Sequence, residues 1–286
     1  MIKKIINFPI TKIILGIGIC FSLLVGIQNL VSKPIFYSFI TEKSIADPII
    51  NCISFFVLLS SYYYLFRFYD KREITELSLK RFPKEMFGGF IGGFLTISLS
   101  IIILYLLGYY QIIGITTAHY TLKLFTLLMV AALIEDLFIR GLIVRELENW
   151  LGTNVAIIIG MILEIWHVFN PNSTLFSCFV DLVWGFTMAM LFVYTKRIWL
   201  PFFFHFGWNF SQPFYGSNLT GLDDMGSIIQ SKFNGPKILT GGAVGIENSI
   251  ITVIFLLSIG LTLYYLAKKE GKIIKGKYQI KSVTNN

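Results

Sequence analysis

One short apolar stretch carries three charged side chains, and their spacing limits what they can do. Within Ala131–Ile143 these are Glu135, Asp136 and Arg140. Each charge at the centre of a bilayer costs about 2.5–3.5 kcal/mol on insertion scales, so three together indicate a protein interior and a role there. Asp136 and Arg140 are i, i+4, which predicts an ion pair on one helix face. Glu135 lies about 100° round the helix from Asp136, so we expect its carboxylate to stay free.

Further polar side chains occur in the apolar segments that follow. His205 and Asn209 are i, i+4, so one helix face presents an imidazole and a carboxamide, and His167 ends another segment. Each alone is more typical of an interhelical hydrogen bond. A carboxylate, two imidazoles and a carboxamide on three helices can, however, converge on one water molecule. Two other acids, Glu164 and Asp181, could have either a structural or a chemical role. The third histidine, His119, is interpreted as an interfacial bystander.

The composition indicates a helical membrane protein. Of 286 residues, 55% are hydrophobic and only 14% are charged, whereas a soluble domain is closer to a quarter charged. The apolar residues come in runs of about 20, long enough to cross the hydrocarbon core. The net charge of +8 does not indicate nucleic-acid binding, because the lysines cluster at segment ends, where they set topology and meet anionic lipid heads. The three cysteines have no metal-like spacing and are interpreted as small buried hydrophobes: Cys20, Cys52 and Cys178.

The hydropathy pattern predicts an all-α bundle of about eight transmembrane spans in a single integral membrane domain, residues 1–286. Basic residues follow alternate spans, so both termini are expected in the cytoplasm. A catalytic core is expected at 87–210 and a basic cytoplasmic tail at 268–286. Glycines early in the third span favour close helix packing. The predicted spans are 13–31, 48–68, 87–110, 120–150, 154–167, 175–194, 199–210 and 248–267, with loops at 33–47, 111–119 and 211–247.

The charged and polar motifs resemble a known family pattern. Glu135-Asp-x-x-x-Arg140, a later x-x-x-His167 and His205-x-x-x-Asn209 are similar in order and spacing to the three motifs of the CAAX protease and bacteriocin-processing (Abi) family. Its members are intramembrane endopeptidases related to the type II CAAX prenyl endopeptidase, with Glu-Glu-x-x-x-Arg, Phe-x-x-x-His and His-x-x-x-Asn. The resemblance covers about 87–210. This sequence departs from the pattern twice, at Asp136 and Leu163.

The resemblance implies a division of labour among these residues. Peptide hydrolysis needs an activated water and a stabilised oxyanion. Glu135 and His167 are expected to activate the water. His205 and Asn209 are expected at the oxyanion. The ion pair of the first motif, Asp136 and Arg140, is expected to orient the helix.

A metal-dependent route stays open on the same residues. Glu135, His167 and His205 could bind Zn²⁺ or another divalent metal, with water in the open position. The chain lacks His-Glu-x-x-His, and the spacing fixes no ligand geometry. The balance favours metal-independent action slightly. A serine or cysteine protease is disfavoured, because no serine or cysteine lies in a motif-like context beside the histidines.

The implied substrate is membrane-bound, because the reacting groups lie at membrane depth. Candidates are a lipidated protein, a leader peptide or a short hydrophobic peptide such as a bacteriocin precursor. The Ile-, Lys-, Asn- and Phe-rich composition is typical of a low-GC bacterium, which favours peptide processing at a bacterial plasma membrane over prenylation. The aromatic segment 202–210 and the following loop are expected to form the substrate entrance. The alternative is a non-enzymatic protein, either a bacteriocin self-immunity factor or a proton or solute transporter, whose path the same polar residues would line.

Overall fold

The computed structural model describes residues 6–116, 122–222 and 226–276 and shows the predicted all-α bundle. His119, the first residues of the fourth predicted span, Lys3 and Lys4 lie outside the described residues, as does the basic tail beyond 276. The first half contains α1 (Pro9–Ile27), α2 (Lys33–Phe39), α3 (Lys43–Tyr69) and α4 (Phe82–Leu106). The second half contains α5 (Leu122–Glu135), α6 (Arg145–Leu151), α7 (Thr153–Glu164), α8 (Leu175–Thr195), α9 (Trp199–Phe214), α10 (Lys237–Thr240) and α11 (Ile250–Lys269).

Several helices are joined without a loop. A π-helical turn at Gln28–Ser32 connects α1 to α2, so the residues predicted to begin a loop at 33 are helical instead. A longer π-helical segment, Asp136–Val144, joins α5 to α6. Gly152 alone separates α6 from α7 and has φ of 94°, a conformation that favours glycine and reverses the chain at once.

The helices are those of an integral membrane protein. Among the described residues, five segments are long and apolar enough to cross a bilayer: Pro9–Phe39, Lys43–Tyr69, Phe82–Leu106, Leu175–Thr195 and Ile250–Lys269. The other three predicted spans are also helical. They correspond to α5 with its π-helical continuation, to α7 and to α9, and these helices are shorter or carry charged residues.

The two described ends of the chain meet at one end of the bundle. The ring of Phe8 lies 5.1 Å from that of Trp150, and Lys275 pairs with Gly152. This end, called the basic end, is held by ion pairs between lysines or arginines and acids from several elements. They are Lys12–Asp70, Arg72–Glu76, Arg145–Glu76, Lys196–Glu148 and Arg197–Glu85.

The opposite end carries a small sheet where the sequence predicts loops. β1 (Tyr110–Ile115) pairs antiparallel with β2 (Ile229–Phe233), with a register irregularity between Ile112 and Gly114. Helix α9 also extends four residues into the predicted loop at 211–247, to Phe214. The sheet and the connections around it define the hairpin end of the bundle.

Close packing of α4 and α9 fixes the helix that bears His205. A Cβ at Gly93 would lie 2.0 Å from the carbonyl oxygen of Phe204, and one at Gly207 would lie 2.2 Å from that of Phe90. The two backbones therefore touch, as small residues allow in membrane helices. Gly89 is similarly tight, whereas Gly88 has open space beside it. The prediction of close packing by this glycine group is confirmed at Gly89 and Gly93.

Candidate active site

The π-helical segment gathers the first motif around one guanidinium. The predicted pair is present, with Asp136 Oδ1 3.3 Å from Arg140 Nη1. Glu135 Oε1 also lies 3.4 Å from the same nitrogen, so the expectation of a free Glu135 is wrong at this oxygen. The reason is local. In a π-helix residue i bonds to i+5, which brings 135 and 140 onto one side, and such segments are frequent at functional sites.

Arg140 also reaches across to a neighbouring helix. Its Nη2 donates to Oε1 of Glu164 on α7 in a very short contact. Arg140 is 1% exposed and Glu164 is fully buried. One guanidinium thus serves three carboxylates, and it fixes α7 against the π-helical segment. From the sequence alone Glu164 was ambiguous between a structural and a chemical role, although a carboxylate inside an apolar helix is itself a signal of a buried partner.

His167 lies on the 3₁₀ turn Ile165–Phe169 that follows α7. Its Nδ1 lies 2.9 Å from the carbonyl oxygen of Glu164 and must donate, because a carbonyl only accepts. In the neutral imidazole the other ring nitrogen, Nε2, is then an acceptor. It faces Glu135 Oε2 at 3.8 Å, too far for a direct hydrogen bond and suited to a shared water.

His205 is oriented by the second acid of the first motif. Its Nδ1 donates to Asp136 Oδ2 at 3.0 Å, which directs Nε2 away from that carboxylate. The indole of Trp184 packs edge-on against the imidazole at 5.1 Å between ring centroids. Asn209 lies one turn further along α9 and lines the same cavity as both histidines. Asp136 thus contacts His205 as well as Arg140, which its spacing alone did not indicate.

A cavity of about 50 Å³ lies beside these groups, enough for a few waters. His167, His205 and Asn209 form one part of its lining, and connections at the hairpin end form another. The expectation that aromatic residues 202–210 make the entrance is only partly right. The side chains of Phe202, Phe204 and Phe206 are buried in the core, whereas Trp208 and the loop beyond it line the cavity.

Three side chains are grouped closely enough to share a metal ion. Ligand atoms of Glu135, Glu164 and His167 lie within 4.8 Å of one another. Glu164 takes the place that the sequence analysis gave to His205, whose Nδ1 is engaged by Asp136. The donor types suit a divalent metal. Arg140 already contacts one oxygen of Glu135 and one of Glu164, so it supplies much of the compensating charge.

The departure from the family pattern at Leu163 lies on the lipid side of α7. Leu163 is 37% exposed, whereas its neighbour Glu164 is buried. A leucine in place of phenylalanine there changes the outer surface of the bundle and leaves the cavity lining intact. The other departure, Asp136, keeps the carboxylate that contacts Arg140 and His205.

A family model matches the segment that carries these residues. Residues 117–211 match the family model described as type II CAAX prenyl endopeptidase Rce1-like. The matched segment contains all three motifs, from Glu135 to Asn209. No curated protein and no solved structure matches the chain. Over this segment the chain is similar to the CAAX protease family, and this similarity supports a general activity as a CAAX-type intramembrane endopeptidase.

Proposed function

We propose that the protein hydrolyses a peptide bond with a water molecule activated by Glu135 and His167. The observation that carries the proposal is the 3.8 Å gap between Glu135 Oε2 and His167 Nε2. Both atoms accept hydrogen bonds, and one water can donate to both while its oxygen lone pair faces the substrate. The backbone carbonyl at His167 Nδ1 and the guanidinium at Glu135 Oε1 hold the two groups in this arrangement.

The proton balance of the reaction follows from these positions. Glu135 takes a proton from the water as its oxygen attacks the scissile carbonyl carbon, which gives a tetrahedral oxyanion. The C–N bond then breaks, and Glu135 returns the proton to the leaving nitrogen. His167 fixes the direction of the water and accepts its second hydrogen bond. No other acid or base is needed for the cycle.

His205 and Asn209 are proposed to stabilise the oxyanion. With both ring nitrogens protonated, His205 donates from Nδ1 to Asp136 and from Nε2 towards the cavity. The amide of Asn209 is a second donor one turn away. Removing one such donor typically costs about 10²–10³ in kcat. Asp136 acts in this scheme by holding the imidazole, as the carboxylate of a catalytic triad does.

A metal ion is not required by this scheme, although the residues offer a place for one. Glu135, Glu164 and His167 would hold it, and it would supply a more acidic bound water. Because Arg140 already occupies oxygens of both carboxylates, we propose metal-independent hydrolysis. Activity that survives exhaustive chelation supports this choice. Loss of activity on chelation, restored by Zn²⁺ or another divalent ion, contradicts it.

The cavity is proposed to open on the outer side of a bacterial plasma membrane. Its lining includes Thr220, Val244 and Asn248, all in connections at the hairpin end. The basic end lies opposite, and positively charged ends face the cytoplasm. The substrate would then be a membrane-bound peptide presented from outside, such as a leader or bacteriocin precursor, and a cytoplasmic prenylated protein would not fit.

Comparative peptidomics tests the proposal. Membranes from cells with the wild-type chain and with Glu135→Gln are extracted, and their peptides are compared. We expect uncleaved membrane peptides to accumulate in the variant, with the new termini of their products present only in the wild type. An unchanged peptide profile, with a cellular phenotype that persists in the variant, would instead favour the self-immunity or transport alternative.

A further inference from the structure

The wall of the cavity contributed by α8 and the hairpin end is rich in acids. Asp181 of α8 and Glu247 of the 3₁₀ turn Ile246–Asn248 both line it. Among the described lining residues there is no lysine or arginine. The guanidinium of the active site, Arg140, is already engaged with three carboxylates. None of these wall acids has a role in the hydrolytic scheme.

Glu247 is held rigidly in this wall. Its Oε2 accepts from Gln212 Nε2 at 2.8 Å and from Trp208 Nε1 at 3.4 Å, and its Oε1 accepts from the backbone N–H of Thr220 at 2.8 Å. These donors come from α9 and from the loop that follows it. The carboxylate is thus fixed relative to His205 and Asn209 on the same helix, and its position in the cavity is built into the fold.

The wall also contains acceptors that lack a donor. Asn248 is 7% exposed and lines the cavity, yet its buried Oδ1 has no hydrogen-bond partner among the described residues. The buried Oδ2 of Asp181 likewise has no hydrogen-bond partner among the described residues. A buried acceptor without a donor costs free energy, so this wall is complementary to a group that brings several N–H donors. An ammonium or a guanidinium group is such a ligand.

Two indole rings complete the surroundings. Trp184 and Trp208 both line the cavity, with their ring centroids 4.9 Å apart. The faces of tryptophan rings attract cations, and the attraction is larger where water is excluded. Carboxylates, unpaired acceptors and indoles therefore favour the same kind of ligand, and each of them disfavours a carboxylate.

We propose that this wall is a subsite for a basic side chain of the substrate, a lysine or arginine close to the scissile bond. The inference rests on the proposed function and adds the substrate class to it. The same wall repels a free C-terminal carboxylate, so the cleaved bond would be internal to the peptide. A basic residue beside an apolar membrane segment is the sequence feature that this site would select.

Matched peptides in proteoliposomes test the subsite. The purified full-length protein is given membrane-anchored peptides that differ only in lysine, norleucine or glutamate at positions flanking the cleaved bond. We expect kcat/KM for the lysine peptide to exceed that for norleucine at least tenfold, equivalent to about 1.4 kcal/mol, with glutamate lowest. Glu247→Gln and Asp181→Asn should remove most of this preference, whereas Glu270→Gln, a carboxylate change at the far end of α11, should keep it.

A binding measurement separates failure of the subsite from failure of the protease proposal. In Glu135→Gln the lysine peptide should quench tryptophan fluorescence at lower concentration than the norleucine peptide, and Trp184→Phe should reduce that signal. Equal cleavage of lysine and norleucine peptides overturns the subsite and leaves the protease intact. Selective binding of the lysine peptide, with no cleavage by the wild type, retains the subsite and overturns the proposed hydrolysis. If the wild type shows no cleavage and Glu135→Gln shows no selective binding, both proposals are overturned.

Discussion

Two buried clusters in this protein are built from the same residue types but have different balances of charge. At the basic end, Glu76 receives hydrogen bonds from Arg72 at 2.6 and 2.9 Å and from the hydroxyl of Tyr62 at 2.6 Å, with Arg145 at 3.6 Å. In the interior, a single guanidinium among the described residues, that of Arg140, faces Glu135, Asp136 and Glu164. Asp136 Oδ1 and Glu164 Oε2 accept no hydrogen bond from the described residues, whereas both oxygens of Glu76 accept at least one.

The cluster at the basic end holds the fold, whereas the interior cluster is the one proposed for chemistry. A carboxylate with every oxygen satisfied by cations is stabilised as it stands and has nothing left to offer a substrate. A surplus of carboxylates around one cation is costly, and it leaves oxygens available for water. Matched substitutions in the two clusters test this difference, and they are given in order of decreasing expected effect.

The largest contrast is expected from one substitution made in both places. Glu135→Gln should lower kcat/KM for a membrane-anchored peptide by about 10²–10⁴, because the general base is lost. The amount of folded protein should change little, since Arg140 still forms ion pairs with Asp136 and Glu164. Cleavage assays and size-exclusion profiles measure the two effects. Glu76→Gln is the control and should retain activity. A Glu135→Gln protein that still cleaves would show that the base has been misassigned.

Arg140→Ala should have the largest effect on stability. It removes the guanidinium shared by Glu135, Asp136 and Glu164, at a cost of about 3–5 kcal/mol. Thermal unfolding in detergent and the yield of folded protein report the loss. Arg72→Ala is the matched change at the basic end and should cost less, because Arg145 and Tyr62 still face Glu76. The comparison between clusters fails if Arg72→Ala proves the more damaging change.

Glu76 should make stability depend on acid pH. Burial pushes the pKa of Glu76 upward, but the hydrogen bonds from Arg72 and the charge of Arg145 outweigh it and lower the pKa below its ordinary value. The carboxylate therefore stabilises the fold above the unfolded pKa, and this contribution is lost as pH falls through the folded value. Glu76→Gln should cost about 1–3 kcal/mol at neutral pH.

The pH profile of unfolding measures this contribution. As pH falls below about 4.5 the gap in stability between wild type and Glu76→Gln should begin to narrow, and it should close below the lowered folded pKa, where both carry an uncharged group at this position. The exposed neighbour Glu73 provides the control, and Glu73→Gln should follow the wild-type profile. A gap between wild type and Glu76→Gln that stays constant down to pH 3 would contradict the assignment.

The smallest effect is expected outside both clusters. Leu163→Phe restores the family residue on the lipid-facing side of α7 and should change kcat/KM less than about twofold, within the range of ordinary surface substitutions. The same peptide assay measures it. A tenfold gain in kcat/KM would mean that the side chain at this position affects the active site through contacts other than those described.

Much of the architecture follows from the sequence alone. Apolar runs of about 20 residues specify membrane helices, because a bilayer admits few other structures. Charged and polar residues inside those runs indicate an internal site, because lipid would not tolerate them. The i, i+4 spacing was enough to place Asp136 beside Arg140 and to place His205 and Asn209 along one helix.

The partners across helices were decided only by the tertiary structure. Arg140 meets Glu164 over 24 residues of chain, and Asp136 meets His205 over 69. Such pairs depend on how helices cross and how closely they approach, here through Gly93 and its contact with α9. The π-helical geometry that turned Glu135 towards Arg140 is likewise invisible to a pattern read at 3.6 residues per turn.

Glu247 shows most clearly what could not be predicted from the sequence. It lies in a polar, glycine-rich connection where an acid is ordinary, so its type and position carried no signal. Only the fold brings it beside Trp208 and Gln212 at the cavity. The sequence predicted a polar site inside the bundle, because that prediction depends on the local cost of charge in lipid. The tertiary structure decided which walls face it, because that depends on contacts between segments far apart in the chain.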